Sequence, residues 1–276
     1  MSGGSGSGSG TDTAYDGAAI TAETPDAWAA TPMQELLLTL ADDELAIGYW
    51  DSEWTGIAPV LEEDVAMSSI AQDEIGHALA FYTLLSAETG SAPDRYAYGR
   101  QPGEYRFAAL LGHARGDWAF TLARRTLYET ADAVRLAALA QSTHAELAGL
   151  VAKMRREETY HLAHMQTWFG KLVDGPAEGR ARFAAALAVA WPSALDLFAP
   201  LDGEAELVAS GVLPVPLAAL REQWEALMRP ELERAGVAVP EAIAFIEPRR
   251  GGLHPDFAWL WNEMTLVYRS EPGASW

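Results

Sequence analysis

The chain has 276 residues and not one cysteine. Disulfides, thiolate-held metals and cysteine nucleophiles are all excluded. Any bound metal must therefore be held by histidine and carboxylate, a donor set that suits iron, manganese or zinc. Positive charge is scarce: 19 Lys and Arg face 39 Asp and Glu, a formal net charge of −20. Nucleic acid and anionic membrane are disfavoured as partners, because both select a basic face. A solvated acidic surface is the plainest meaning of the surplus. Long hydrophobic runs are also missing. The longest, Phe183 to Trp191, falls short of the roughly 20 residues a membrane span needs. The N-terminus lacks a charged-then-apolar leader, so a cytoplasmic location is expected. Sustained strand-like alternation is absent, and the expected class is all-α.

What the chain does have is apolar material, 49% of its residues, enough for one large domain or two small ones. Residues 1–25 open on a Gly/Ser-rich tract and are expected to be flexible and outside the fold. Four amphipathic helices follow within 26–175, and a helical extension, 176–276, is expected to pack on them. Thr31 and Pro32 start the first helix as N-cap and first helical residue, with Gln34 completing a capping box. Leu37, Leu40 and Ile47 form its apolar stripe, with Glu44 inside it, while Asp42 and Asp43 fall off the stripe and read as solvated. The second helix runs from about Val60 to Thr89, the third from about Arg115 to Ala140. Between them lies a short amphipathic piece, Glu104 to Leu111. Thr143 with Glu146 reads as the cap of the fourth, which reaches about Leu172. Later helices are expected over Ala177–Phe198, bent at Pro192, then over Pro216–Met228 with Pro230 beyond its end. A short one over Pro240–Ile246 and a last one from His254-Pro255 through Tyr268 complete the chain.

Two motifs stand out. Gln72-Asp73-Glu74-Ile75-Gly76-His77 holds one Glu-x-x-His pair, and Glu157-Glu158-Thr159-Tyr160-His161 holds another. Residues three apart share a helix face, so each Glu projects beside its His. Two such pairs, with one carboxylate from each of two further helices, make the dimetal site of ferritin-like four-helix bundles. Glu44 and Glu129 supply those carboxylates. Glu44 and Glu74 lie symmetrically about Pro59, and Glu129 and Glu158 about Ser142-Thr143. Both midpoints fall at turn signals, so at 1.5 Å per residue all four reach one depth, about 20 Å from their turns. The halves look like a degenerate repeat of one helical hairpin. Four buried carboxylates without cations are costly; two divalent ions would cancel them.

Each piece alone has a blander meaning. A lone Glu-x-x-His is commonplace on a Glu-rich helix, and Glu44 by itself is more simply a hydrogen-bonded core residue. It is two matches with symmetric partners that favour metal. The candidate ligands are Glu44, Glu74, His77, Glu129, Glu158 and His161. Glu157 could replace or support Glu158, and Asp132 could replace Glu129 or brace a ligand histidine. His113, His144, His164 and His254 receive no role. Tyr160 points away from the site, and the ten tryptophans are most simply core.

The stretches Glu35–Leu85, Glu146–Phe169 and Gly251–Trp276 resemble the phenylacetyl-CoA epoxidase (phenylacetate-CoA oxygenase) family of bacterial multicomponent monooxygenases. The two metal motifs look like those of its catalytic, PaaA-type subunit. Chain length, Glu53-Trp54-x-Gly56 and the tail Gly252-Leu253-His254, Glu263-Met264 and Trp276 look more like the PaaC-type subunit. The resemblance implies a ferritin-like diiron oxygenase component with two iron ions. The reaction would be O2-dependent 1,2-epoxidation of the ring of phenylacetyl-CoA, one oxygen atom entering the ring and the other leaving as water. It implies a homologous ferritin-like partner subunit of PaaA type, a separate reductase and an oligomer. PaaC-type subunits are usually described as structural, with a degraded ligand set, yet the matching positions here are complete. A non-catalytic structural partner is therefore the alternative. A ferroxidase or iron store is a third reading, opposed by the long extension and the tail. Arg249-Arg250 is a candidate for the phosphates of an acyl-CoA substrate, although a solvated loop pair is the simpler meaning.

Overall fold

The computed structural model describes residues 28–238, 251–271 and 274; Arg249, Arg250 and the helix expected over 240–246 lie outside these. Among the described residues every regular element is helical: α1 Pro32–Ser52, α2 Leu61–Thr89, α3 Pro93–Tyr98, α4 Ala109–Gly112, α5 Trp118–Leu139, α6 Ala145–Val173, α7 Ala177–Ala194, α8 Glu204–Ser210, α9 Leu217–Arg234 and α10 Phe257–Ser270. Short 3-10 turns at Pro102–Glu104, Leu195–Phe198 and Gly251–Leu253 complete the set. The architecture is a ferritin-like bundle of α1, α2, α5 and α6 carrying further helices.

Local chemistry accounts for most boundaries. Thr31 caps α1, its hydroxyl accepting from the Gln34 amide at 3.2 Å, and Pro32 occupies the first turn. Asp117 caps α5 in the same way, accepting from Phe120 N at 2.9 Å. The cap of α6 differs from expectation: it is His144, whose Nδ1 accepts from Leu147 N, while the Thr143 hydroxyl donates to the Ser210 carbonyl. The strip expected as one amphipathic piece, 104–111, is broken. It is a 3-10 turn, an extended run and the single turn of α4. Pro230 lies inside α9, not after it.

The helices α1 and α2 pack as one hairpin and α5 and α6 as another, with α2 against α6. Gly48 permits the closest approach in the first hairpin. A Cβ there would stand 2.9 Å from Ile75 Cγ1 and 3.0 Å from Glu74 Cβ, so α1 sits flush against α2 at the depth of Glu74. The hairpins are tied by Trp54 Nε1, which donates to Thr121 Oγ1 at 3.0 Å, while Trp50 Nε1 donates to the Leu111 carbonyl at 2.8 Å. The helices α7 and α9 cover α5. They meet through stacked Trp191 and Trp224, 4.7 Å between ring centroids, and Phe183 meets Phe169 of α6 edge-on. Among the described residues one segment, Ala177–Phe198, is long and apolar enough to cross a membrane. Its Phe183, Leu187, Ala190 and Trp191 are buried in the fold.

A candidate dimetal centre

All six side chains singled out by spacing lie inside the bundle. Glu44 is 2% exposed, Glu74 0%, His77 5%, Glu129 1%, Glu158 5% and His161 3%. They fall into two overlapping groups whose donor atoms lie within 4.8 Å of one another, Glu44/Glu74/His77/Glu158 and Glu74/Glu129/Glu158/His161. Glu74 and Glu158 belong to both. The imidazoles face each other with ring centroids 6.5 Å apart. His77 Nδ1 lies 3.1 Å from Glu158 Oε1 and 3.7 Å from Glu74 Oε2, and His161 Nδ1 lies 3.4 Å and 3.5 Å from Glu158 Oε1 and Glu74 Oε1.

The donor set fits a metal pair on one observation. Glu44 Oε2, Glu74 Oε2, His77 Nδ1, Glu129 Oε2, both Glu158 oxygens and His161 Nδ1 are buried atoms without a hydrogen-bond partner. Each such orphan costs about 1–3 kcal/mol, more when charged. Seven of them, drawn from four helices, form a donor set that bound cations would satisfy.

The outward nitrogen of each imidazole is tethered across the bundle. His77 Nε2 meets Glu157 at 2.8 Å, and His161 Nε2 meets Asp73 at 3.2 Å. Each tether is the residue just before a cage glutamate on the opposite hairpin. A carboxylate on Nε2 fixes the ring and leaves Nδ1 aimed inward, the arrangement that orients metal-bound histidines. Glu157 thus supports the site from outside and does not replace Glu158. Spacing alone does not single out Asp73, although its position before Glu74 mirrors that of Glu157. Asp132 does not enter either group; it accepts from Arg135 Nη2 at 2.9 Å.

Buried arginines are a second feature that sequence patterns miss. Arg125, four residues before Glu129, donates from Nη1 to Glu74 Oε1 at 2.6 Å, lies 3.2 Å from Asp51 and bonds Glu129 through Nη2. Arg135 donates to Asp43 at 2.6 Å, and Arg100 grips Asp42, which also accepts from Tyr82 at 2.5 Å. Asp42 and Asp43, expected in solvent, are both 0% exposed. Their stripe reads as polar because its partners are guanidiniums distant in sequence. Arg124, also buried, faces Asp51 at 3.9 Å, so Arg100, Arg124, Arg125 and Arg135 each meet at least one buried carboxylate.

The electrostatics of the metal-free cage show the same hunger for cations. Burial, and then neighbouring Glu74, raise the Glu44 carboxyl well above its usual range. Burial alone would raise Glu74 as well, but the Arg125 guanidinium pulls it well below. Burial opposes protonation of both imidazoles, yet contacts with Glu158 and Glu74 override it, lifting His77 to about 11 and His161 to about 10. Asp51 is pushed up to about 6 by burial, against the pull of Arg125.

The other histidines lie apart. His164 Nε2 meets Glu63 at 2.9 Å, His144 caps α6, and Tyr160 is 77% exposed, facing away as expected. Tyr128, next to Glu129, is fully buried with its hydroxyl unpartnered; no spacing rule marks it.

Over 241 residues the chain is 27% identical to the C component of the 1,2-phenylacetyl-CoA epoxidase of Escherichia coli, covering 87% of this chain and 97% of that protein. Over 249 residues it is 23% identical to the A component of the same enzyme, covering 88% of this chain and 79% of that one. The family model for phenylacetic acid catabolic proteins matches residues 19–276. With that match spanning nearly its whole length, the chain belongs to the phenylacetic acid catabolic protein family.

Proposed function

We propose that this chain is a metal-carrying subunit of a multicomponent monooxygenase of phenylacetate degradation, acting on phenylacetyl-CoA with O2. The observation that carries the reading is the set of seven unpartnered donor atoms from four helices converging at one depth. Glu44, Glu74, His77, Glu129, Glu158 and His161 would hold two iron ions. Iron so held supplies the O2 chemistry of ring 1,2-epoxidation. The chain's part is to place and insulate: Glu74 and Glu158, common to both donor groups, would be shared by the ions, Glu157 and Asp73 keep the imidazoles turned inward, and the buried helix faces exclude water. The expected companions are a reductase and a homologous ferritin-like protein, with cytoplasmic location. The helices after residue 176 form an extension packed on the bundle, consistent with α7 and α9 covering α5.

Elemental analysis after anaerobic loading tests this directly. Two irons per chain are expected, falling below one in His77→Ala or Glu158→Ala. Turnover measured with the partner proteins should fall in parallel.

A second reading has its own support. Arg125 engages Glu74 and Glu129, and the chain spans 97% of the relative designated the C component. On this reading the chain holds a catalytic partner in place and its cage is not where oxygen is activated. Full turnover of the assembled enzyme carrying a metal-free Glu158→Ala chain would decide for it.

A further inference from the structure

Outside the buried cage, three more side chains of metal-ligating type converge near the surface. His113 follows α4; His254 and Asp256 precede α10, some 140 positions later in the chain. One donor atom from each lies within 4.8 Å of the others. The imidazoles of His113 and His254 are 4.4 Å apart between centroids, and His254 Nδ1 is 3.7 Å from Asp256 Oδ2. Ions of the zinc class sit about 2.0–2.2 Å from such donors, so donors around them stand a little over 3 Å apart. Small side-chain rotations close the difference.

Independent bonds hold the three in place. His113 Nε2 meets Ser193 Oγ at 3.0 Å, which leaves Nδ1 available. Asp256 Oδ2 accepts from the Ala114 amide at 3.1 Å, and His254 Nδ1 accepts from the Asp256 amide at 3.3 Å, leaving Nε2 available. The backbone before His254 is pinned as well. A Cβ on Gly252 would stand 1.9 Å from the Pro102 carbonyl, so that stretch of chain touches the 102–104 turn directly. Arg124, beneath the cluster, donates to the His113 carbonyl at 3.2 Å and faces Asp51 at 3.9 Å. His113 and His254 are half-buried and Asp256 is exposed, so an ion can enter from solvent and keep a water.

We propose that His113, His254 and Asp256 form a second, surface metal site for a borderline divalent cation such as Zn2+, three protein ligands plus water, which pins α10 to the loop before α5. The site is independent of the buried cage, sharing no residue with it.

Calorimetric titration of the whole chain with Zn2+ tests it. The unaltered protein should bind one equivalent more than His254→Ala and one more than His113→Gln, with the cage ligands intact in all three. Zn2+ should slow amide exchange across residues 257–270 at least tenfold in the unaltered protein and leave it unchanged in either variant. Asp256→Asn, a surface change that cannot unfold the core, should weaken the extra equivalent at least tenfold. Equal stoichiometry in all forms, or unchanged exchange in α10, overturns the proposal.

Discussion

Arg125 Nη1 lies 2.6 Å from Glu74 Oε1, on the same carboxylate that His161 Nδ1 approaches at 3.5 Å. A permanent cation and a candidate metal ligand therefore compete for one oxygen. The two donor groups are inequivalent: among the described residues Arg125 bonds only Glu74 of Glu44/Glu74/His77/Glu158, but both Glu74 and Glu129 of Glu74/Glu129/Glu158/His161.

Replacing that guanidinium separates its two effects. Arg125→Met should destabilise the metal-free protein by about 3–5 kcal/mol, because Glu74, Glu129 and Asp51 remain buried without it. The loss should shrink once two ions are bound. Denaturant unfolding with and without Fe2+ measures both, and an equal loss in both states would place Arg125 outside the cage's electrostatics.

The outer carboxylates give a milder change. Glu157 and Asp73 are 56% and 40% exposed at the side chain, so Glu157→Gln and Asp73→Asn should fold normally. Loss of the tether should weaken metal affinity about 10–100-fold. Competition with a chelator reads it, and unchanged affinity would mean the imidazoles need no outside support.

Removing metal should lower stability. An ion that binds only the folded chain stabilises it by about 2.7 kcal/mol at one hundred times its Kd. Melting with Fe2+ against melting with chelator should show a clear upward shift of Tm, abolished by His77→Ala combined with His161→Ala.

The pairs away from the cage should be structural. Asp43→Asn leaves Arg135 with Asp132 alone in a dry interior and is expected to cost about 3–5 kcal/mol, while metal content stays the same. Trp224→Ala, which empties the stack on Trp191, should cost about 3–5 kcal/mol and broaden no transition if α7 and α9 unfold together with α5.

Much of the cage is legible in the order of residues alone. Spacing about two turns places Glu44, Glu74, Glu129 and Glu158 at one level, since helix rise is fixed and α1–α2 and α5–α6 are simple hairpins. The Thr31 and Asp117 ends both obey local rules, although the capping pattern draws the eye only to Thr31. What escapes depends on partners distant in sequence. Asp42 and Asp43 look like solvent residues until Arg100 and Arg135 arrive from other elements. Arg125 looks like an ordinary helix cation until Glu74 meets it from α2. Thr143 loses the α6 cap because Ser210 offers its hydroxyl another acceptor, which no local window contains.

The missing side chain at Gly48 has a consequence of its own. Adding a single methyl group there would act as a wedge between α1 and α2 at the level of Glu74. The bite of the cage, the span across which Glu44 and Glu74 approach each other, is thus gauged by an empty space on the neighbouring helix.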